Sequence, residues 1–110
     1  MSANPVLNNI AFEIRQIDHL LMVYDSLFQR AMKQPPELVE ITALASVLHS
    51  FYNGIENIFL AIARHHDQQV PTGDRWHREL LQQMARPAAT RSPVLSTEMV
   101  NAMTEYLTFR

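Results

Sequence analysis

The chain contains no cysteine and only two glycines, Gly54 and Gly73. Without cysteine there is no disulfide, no thiolate metal site and no cysteine nucleophile, which suits a reducing compartment and makes the cytoplasm the expected location. So few glycines leave little material for tight hairpins or sheets. No run approaches about 18 uninterrupted apolar residues, so no membrane-spanning helix is expected. The opening Met1-Ser2-Ala3-Asn4-Pro5 lacks the basic start and apolar stretch of a signal peptide. An excess of positive charge is also missing: nine Lys and Arg against eleven Asp and Glu leave a net charge of −2, which argues against coating nucleic acid by bulk electrostatics. Lysine is nearly absent too. The basic side chains are eight Arg and Lys33, a choice that reflects either genome composition or a use for the guanidinium fork on phosphate or carboxylate.

What is present is helical periodicity in 110 residues, a length suited to one domain. The apolar positions Leu7, Ile10, Ile14, Ile17, Leu21, Tyr24, Phe28 and Ala31 alternate steps of three and four, which places them on one helical stripe. Asn4 is an expected N-cap with Pro5 at the first helical position, and Pro35-Pro36 must end the helix. A second stripe follows through Leu38, Ile41, Ala45, Leu48, Tyr52, Ile55, Phe59 and Ile62, widened by Leu44, Phe51 and Ile58. So short a connection requires the two helices to run antiparallel. After a loop from Asp67 to Gly73, Asp74 is expected to cap a shorter helix from Arg75 to about Ala85, with Trp76, Leu80, Leu81 and Met84 inward. Ser96 opens the last helix, whose inner face is Met99, Val100, Met103, Tyr106 and Leu107. The expected fold is all-α: an up-down bundle of two long antiparallel helices plus two shorter ones.

Few patterns carry chemistry. There is no glycine-rich phosphate loop, no His-Glu-x-x-His and no Glu-x-x-His pair of the di-iron kind. His65-His66-Asp67 with His77 is a poor metal set, because adjacent histidines on a helix point about 100° apart; neither metal nor other cofactor is expected. One polar group of residues stands out. His49, Asn53 and Glu56 are spaced four then three on the second helix, hence on one face, with Gly54 lowering the wall beside them. They either face water or line a cleft.

Three segments, Leu48–Arg64 (LHSFYNGIENIFLAIAR), Val70–Met84 (VPTGDRWHRELLQQM) and Arg91–Arg110 (RSPVLSTEMVNAMTEYLTFR), resemble the HepT-like branch of the HEPN helical domains. The part joining Gly54-Ile55-Glu56 to Trp76-His77 is the most specific. The resemblance implies a small helical homodimer, the toxin of a toxin–antitoxin pair whose antitoxin is a minimal nucleotidyltransferase. It also implies metal-independent RNA cleavage by an Arg-x(4–6)-His motif, two copies of which meet in the dimer cleft. In that motif histidine moves protons and arginine holds the phosphate. In some members a tyrosine just after the histidine receives AMP from the antitoxin. Carried onto this sequence, the arginine is Arg110; the histidine and tyrosine would fall beyond it, and Tyr106 lies upstream. The 110-residue chain is therefore expected to be inactive as a nuclease, either shortened or naturally without the chemistry. His49, Asn53 and Glu56 would line or support the cleft. The alternative expectation is a non-catalytic dimeric module that binds a protein partner or nucleotide through the same groove.

Overall fold

The computed structural model describes residues 5–89 and 91–109, with Phe109 described through its backbone alone. Every element named along it is helical: α1 (Pro5–Val23), α2 (Asp25–Lys33), α3 (Leu38–Ile62), a π-helical turn (Ala63–Asp67), α4 (Trp76–Ala85) and α5 (Thr97–Phe109). The expected all-α class is what forms. The chain divides into two compact units, Met1–Ile58 and Phe59–Arg110, and the division falls inside α3.

The first unit is a helical hairpin. Its antiparallel sense follows from the pairs that meet. Glu13 reaches Asn57, Ile17 lies against Gly54, and Leu21 and Phe28 share a groove with Leu44, Val47, Leu48 and Phe51. The first long helix of the sequence reading is in fact two. At Tyr24 the backbone leaves helical geometry (φ −101°, ψ 13°), and the Tyr24 carbonyl accepts from both Leu27 and Phe28 N–H at 3.1 and 3.2 Å. Val23-Tyr24-Asp25-Ser26 strings together four residues of below-average helix propensity, and Asp25 gains from sitting in the positive first turn of a new helix. The apolar stripe runs straight through this break, which is why periodicity does not reveal it. Asn4, the expected cap, lies outside the described residues.

The turn into α3 is well specified. Gln34, restricted by the proline after it, is extended (φ −152°, ψ 155°). Glu40 Oε1 accepts the Glu37 N–H at 3.0 Å, the carboxylate half of a capping box. Its other oxygen meets Arg30 Nε at 3.3 Å, stapling the end of α2 to the start of α3 for roughly 0.5 kcal/mol. Burial within the hairpin is thin: neither α1 nor α2 contains a buried residue, and Leu38 is 79 % exposed.

The second unit has a denser core. Phe59 and Ala63 at the end of α3 and its π turn, Leu80, Leu81 and Met84 of α4, and Met103 of α5 are buried. Leu80, Leu81 and Met84 are fully enclosed, each contributing about 1.5–3 kcal/mol of transfer free energy. The wider π turn closes on Gln68 in the left-handed region (φ 57°), with Gln69 N–H donating to Ala63 O at 2.9 Å. Arg75, rather than the expected Asp74, takes the N-cap position of α4, and it makes no side-chain cap bond. Met84 O accepts from Val94 and Leu95 N–H at 2.7 and 3.1 Å, folding the connecting loop back onto α4. Ser96 Oγ then accepts the Met99 N–H at 3.2 Å, capping α5 at the residue expected to open that helix. Met99, expected on the inner face, is instead exposed, in the first turn of the helix.

Candidate functional site

Two sets of residues with identical spacing face each other across the hairpin: Glu13, Gln16, Ile17 and Leu20 of α1, and Ser50, Asn53, Gly54 and Asn57 of α3. Steps of three, four and seven put each set on one side of its helix, and together they line a groove of about 310 Å³. Gly54 is what allows the close approach. A Cβ there would stand 3.0 Å from Ile17 Cγ1 and 3.1 Å from its Cδ1, so the glycine seats an isoleucine rather than opening space beside the polar residues. Asn57 Nδ2 donates to Glu13 Oε1 at 3.2 Å, closing one end.

Of the polar set read from the sequence, the fold brings His49 and Asn53 together. Asn53 Nδ2 donates to His49 Nε2 at 3.3 Å, which requires the tautomer protonated on Nδ1. Both side chains are exposed, and Asn53 also lines the groove. Glu56 differs: it is only 6 % exposed and is engaged in interactions of its own. Shared spacing does not give these residues a shared environment: Glu56 continues the buried row of Tyr52, Phe59 and Ala63, whereas His49 and Asn53 continue an exposed row with Asn57. Arg110 lies outside the described residues.

Sequence reasoning missed a densely hydrogen-bonded polar cluster among the described residues. In the second unit, Asp67 accepts from Arg91 Nε on Oδ1 at 2.8 Å, from Arg91 Nη2 on Oδ2 and from Gln83 Nε2 on Oδ2 at 2.8 Å. Arg91 and Asp67 side chains are 12 % and 7 % exposed. The remaining Arg91 donors reach main-chain carbonyls: Nη1 the oxygens of Arg86 and Ser92 at 3.0 and 3.1 Å, and Nη2 that of Gln83 at 3.4 Å. Every guanidinium N–H is thus used. The bidentate hydrogen bonds from Arg91 hold the Asp67 carboxyl below the usual carboxylate range and push Arg91 further up. A saturated arginine has no donor left for a ligand, so this cluster is a clamp between the π turn and the loop after α4. Residues 24 apart that share no helix leave no periodic signal in the sequence.

Trp76 and His77 stack with ring centroids 3.6 Å apart and planes 29° apart. Among the described residues, no group of three or more His, Cys, Asp or Glu is placed to hold a metal ion, and no helix is long and apolar enough to cross a membrane.

A family model described as HepT-like protein matches residues 43–110, a span holding the C-terminal part of α3, both shorter helices and the Asp67–Arg91 clamp. No curated protein and no solved structure matches the chain.

Proposed function

The chain belongs to the HepT-like family of the HEPN helical domains, and from that premise we propose that it is the toxin-type member of a toxin–antitoxin pair. In this reading it is an RNA-engaging homodimer restrained by a minimal nucleotidyltransferase. The observation that carries the reading is the family match across most of the chain. The hairpin supports the dimer: a 19-residue helix with no buried residue, beside an apolar groove lined by Leu21, Phe28, Leu44, Val47, Leu48 and Phe51, is surface of the kind that interfaces cover.

The chemistry assigned to the family motif needs no metal. Arginine forks onto the non-bridging oxygens of a phosphate and stabilises charge that develops there. Histidine takes the proton of the 2′-hydroxyl as its oxygen bonds to phosphorus; the bond to the 5′-oxygen breaks, and that oxygen leaves with a proton. Arg110 is the arginine of this pair. His49 and Asn53 support the cleft from its rim, and Glu56 supports it from a buried position on α3.

The protein is expected to bind single-stranded RNA, measured by the anisotropy of a labelled strand. Binding should weaken at least about tenfold on Arg110→Ala, the loss expected of a charge-assisted bidentate contact. An affinity unchanged in Arg110→Ala would contradict this account of the motif. Failure to bind RNA at all would contradict the RNA-directed reading.

One observation favours a second reading, a non-catalytic interaction module. The 310 Å³ groove has no cationic side chain among its lining residues, a chemistry better suited to a protein segment or a base edge than to phosphate. Binding of a nucleotidyltransferase without any RNA binding would select it.

A further inference from the structure

Glu13 and Asn57 meet at one end of the 310 Å³ groove between α1 and α3, and both lie within the first unit. A carboxylate has no hydrogen to give, so their 3.2 Å contact is a donation from Asn57 Nδ2 to Glu13 Oε1. It uses one hydrogen of that nitrogen and leaves the other. Glu13 Oε2 lies over Gly54, 3.9 Å from where a Cβ would stand, and among the described residues it accepts no hydrogen bond. This end of the groove therefore offers a donor on Asn57, then an acceptor on Oε1 with lone pairs to spare, then an open acceptor on Oε2. Glu13 is half-buried and Asn57 exposed, so a ligand can reach all three. Ile17 and Leu20 add apolar wall, and no lysine or arginine lines the groove.

The complement of donor, acceptor, acceptor is an edge reading acceptor, donor, donor. Among the four RNA bases guanine alone has it, in O6, N1–H and the 2-amino group. Adenine and cytosine set a ring-nitrogen acceptor against the carboxylate, and uracil offers one donor between two acceptors. A guanidinium or ammonium ion would satisfy the carboxylate but confront the Asn57 N–H with further donors, so a basic protein segment fits less well. Phosphate is disfavoured by three basic against six acidic side chains in this unit. We propose that the α1–α3 groove is a base-recognition subsite that takes a guanine of single-stranded RNA, read on its Watson–Crick edge by Glu13 and Asn57. This rests on the reading of the chain as an RNA-engaging HepT-like protein.

The test measures, by anisotropy, the affinity of the full 110-residue protein for labelled oligouridylates carrying one central guanosine, inosine or adenosine. The guanosine strand is expected to bind about tenfold more tightly than the adenosine strand, the discrimination of one bidentate pair. Inosine keeps O6 and N1–H but lacks the 2-amino group, and should lose most of that preference. Glu13→Gln keeps an acceptor for Asn57 and loses the second one. It should bind all three strands alike, with its unfolding midpoint by circular dichroism unmoved. Asp18→Asn, also on α1 but outside the groove, should keep the preference. The ratio between strands is the readout, because loss of a negative charge moves every strand equally. If the wild-type protein binds the three strands with equal affinity, the inference is overturned and the RNA-directed reading stands. A preference that survives in Glu13→Gln overturns it too, since guanine is then read elsewhere. Should Glu13→Gln unfold early, the inosine strand decides on the unaltered protein: binding equal to guanosine overturns the inference. An arginine-rich peptide bound through Glu13, with no base preference among the strands, would assign the groove to a protein segment and overturn it equally. If the wild-type protein binds no RNA, the reading falls and the inference with it.

Discussion

Among the described residues two hold the left-handed backbone region, and they separate conformational cost from contact. Gly73 has φ 100° and open space where a Cβ would stand, so Gly73→Ala should destabilise by about 1–2 kcal/mol through backbone strain alone. Gln68 holds φ 57° with a side chain. Gln68→Gly should therefore stabilise by up to about 1 kcal/mol, the strain released less the extra freedom of an unfolded glycine. Chemical denaturation of both variants checks the pair, and equal signs would contradict it. Gly73 was legible as a loop glycine, whereas Gln68 was not, since nothing in DQQVPTG distinguishes one glutamine from the next. Gly54 was seen but misjudged. Its role is to admit Ile17, and a close approach between two helices is a property of the pair that neither stripe displays alone.

At the scale of elements, the Asp67–Arg91 clamp is the most consequential arrangement. It ties the π turn to the loop after α4 with a carboxylate and a guanidinium both largely shielded from water. Removing one partner leaves a buried charge uncompensated, so Arg91→Ala should cost about 3 kcal/mol at neutral pH. The Asp67 carboxyl ionises at lower pH when folded than in the unfolded chain, where the value is about 3.9. Its contribution is therefore complete above about pH 4 and is lost as pH falls through the folded-state value. Urea titrations at pH 7 and pH 3 should show the gap between wild type and Arg91→Ala narrowing in acid; a gap that widens would contradict the clamp. The helices that meet this clamp were readable, because stripes and proline breaks report on single elements. Ser96 was found for the same reason: a cap acts within three residues of itself. The break at Tyr24 and the clamp were not, because one depends on propensities hidden under a continuous stripe and the other on residues joined only by the fold.

Across the whole molecule, charge and apolar surface are unevenly shared. The first unit has three basic side chains against six acidic ones, while the second has six against five. Arginines are concentrated in the span that the family model matches, and exposed apolar side chains where the proposed dimer would form. Leu48 is half exposed and lines the apolar groove of the hairpin. Leu48→Arg should leave the protomer folded yet lower the mass seen by sedimentation equilibrium from that of a dimer to that of a single chain. A dimer unaffected by Leu48→Arg would place the interface elsewhere. The all-α class was legible because glycine poverty and three-four spacing point the same way over most of the chain. The cleft around Asn53 was legible only in part, since spacing fixes the face of a helix and leaves its depth open. His49 and Asn53 lie at the surface and Glu56 beneath it.

The central claim is that the guanidinium of Arg110 takes hold of RNA phosphate, and arginine side-chain NMR tests it most directly. With ¹⁵N-labelled protein and single-stranded RNA, the Arg110 Nε–H signal, assigned through Arg110→Lys, should shift saturably as RNA is added. Arg91, its donors fully occupied by Asp67 and main-chain carbonyls, should stay still and serve as the internal reference. An Arg110 signal that does not move while RNA binds would contradict the account.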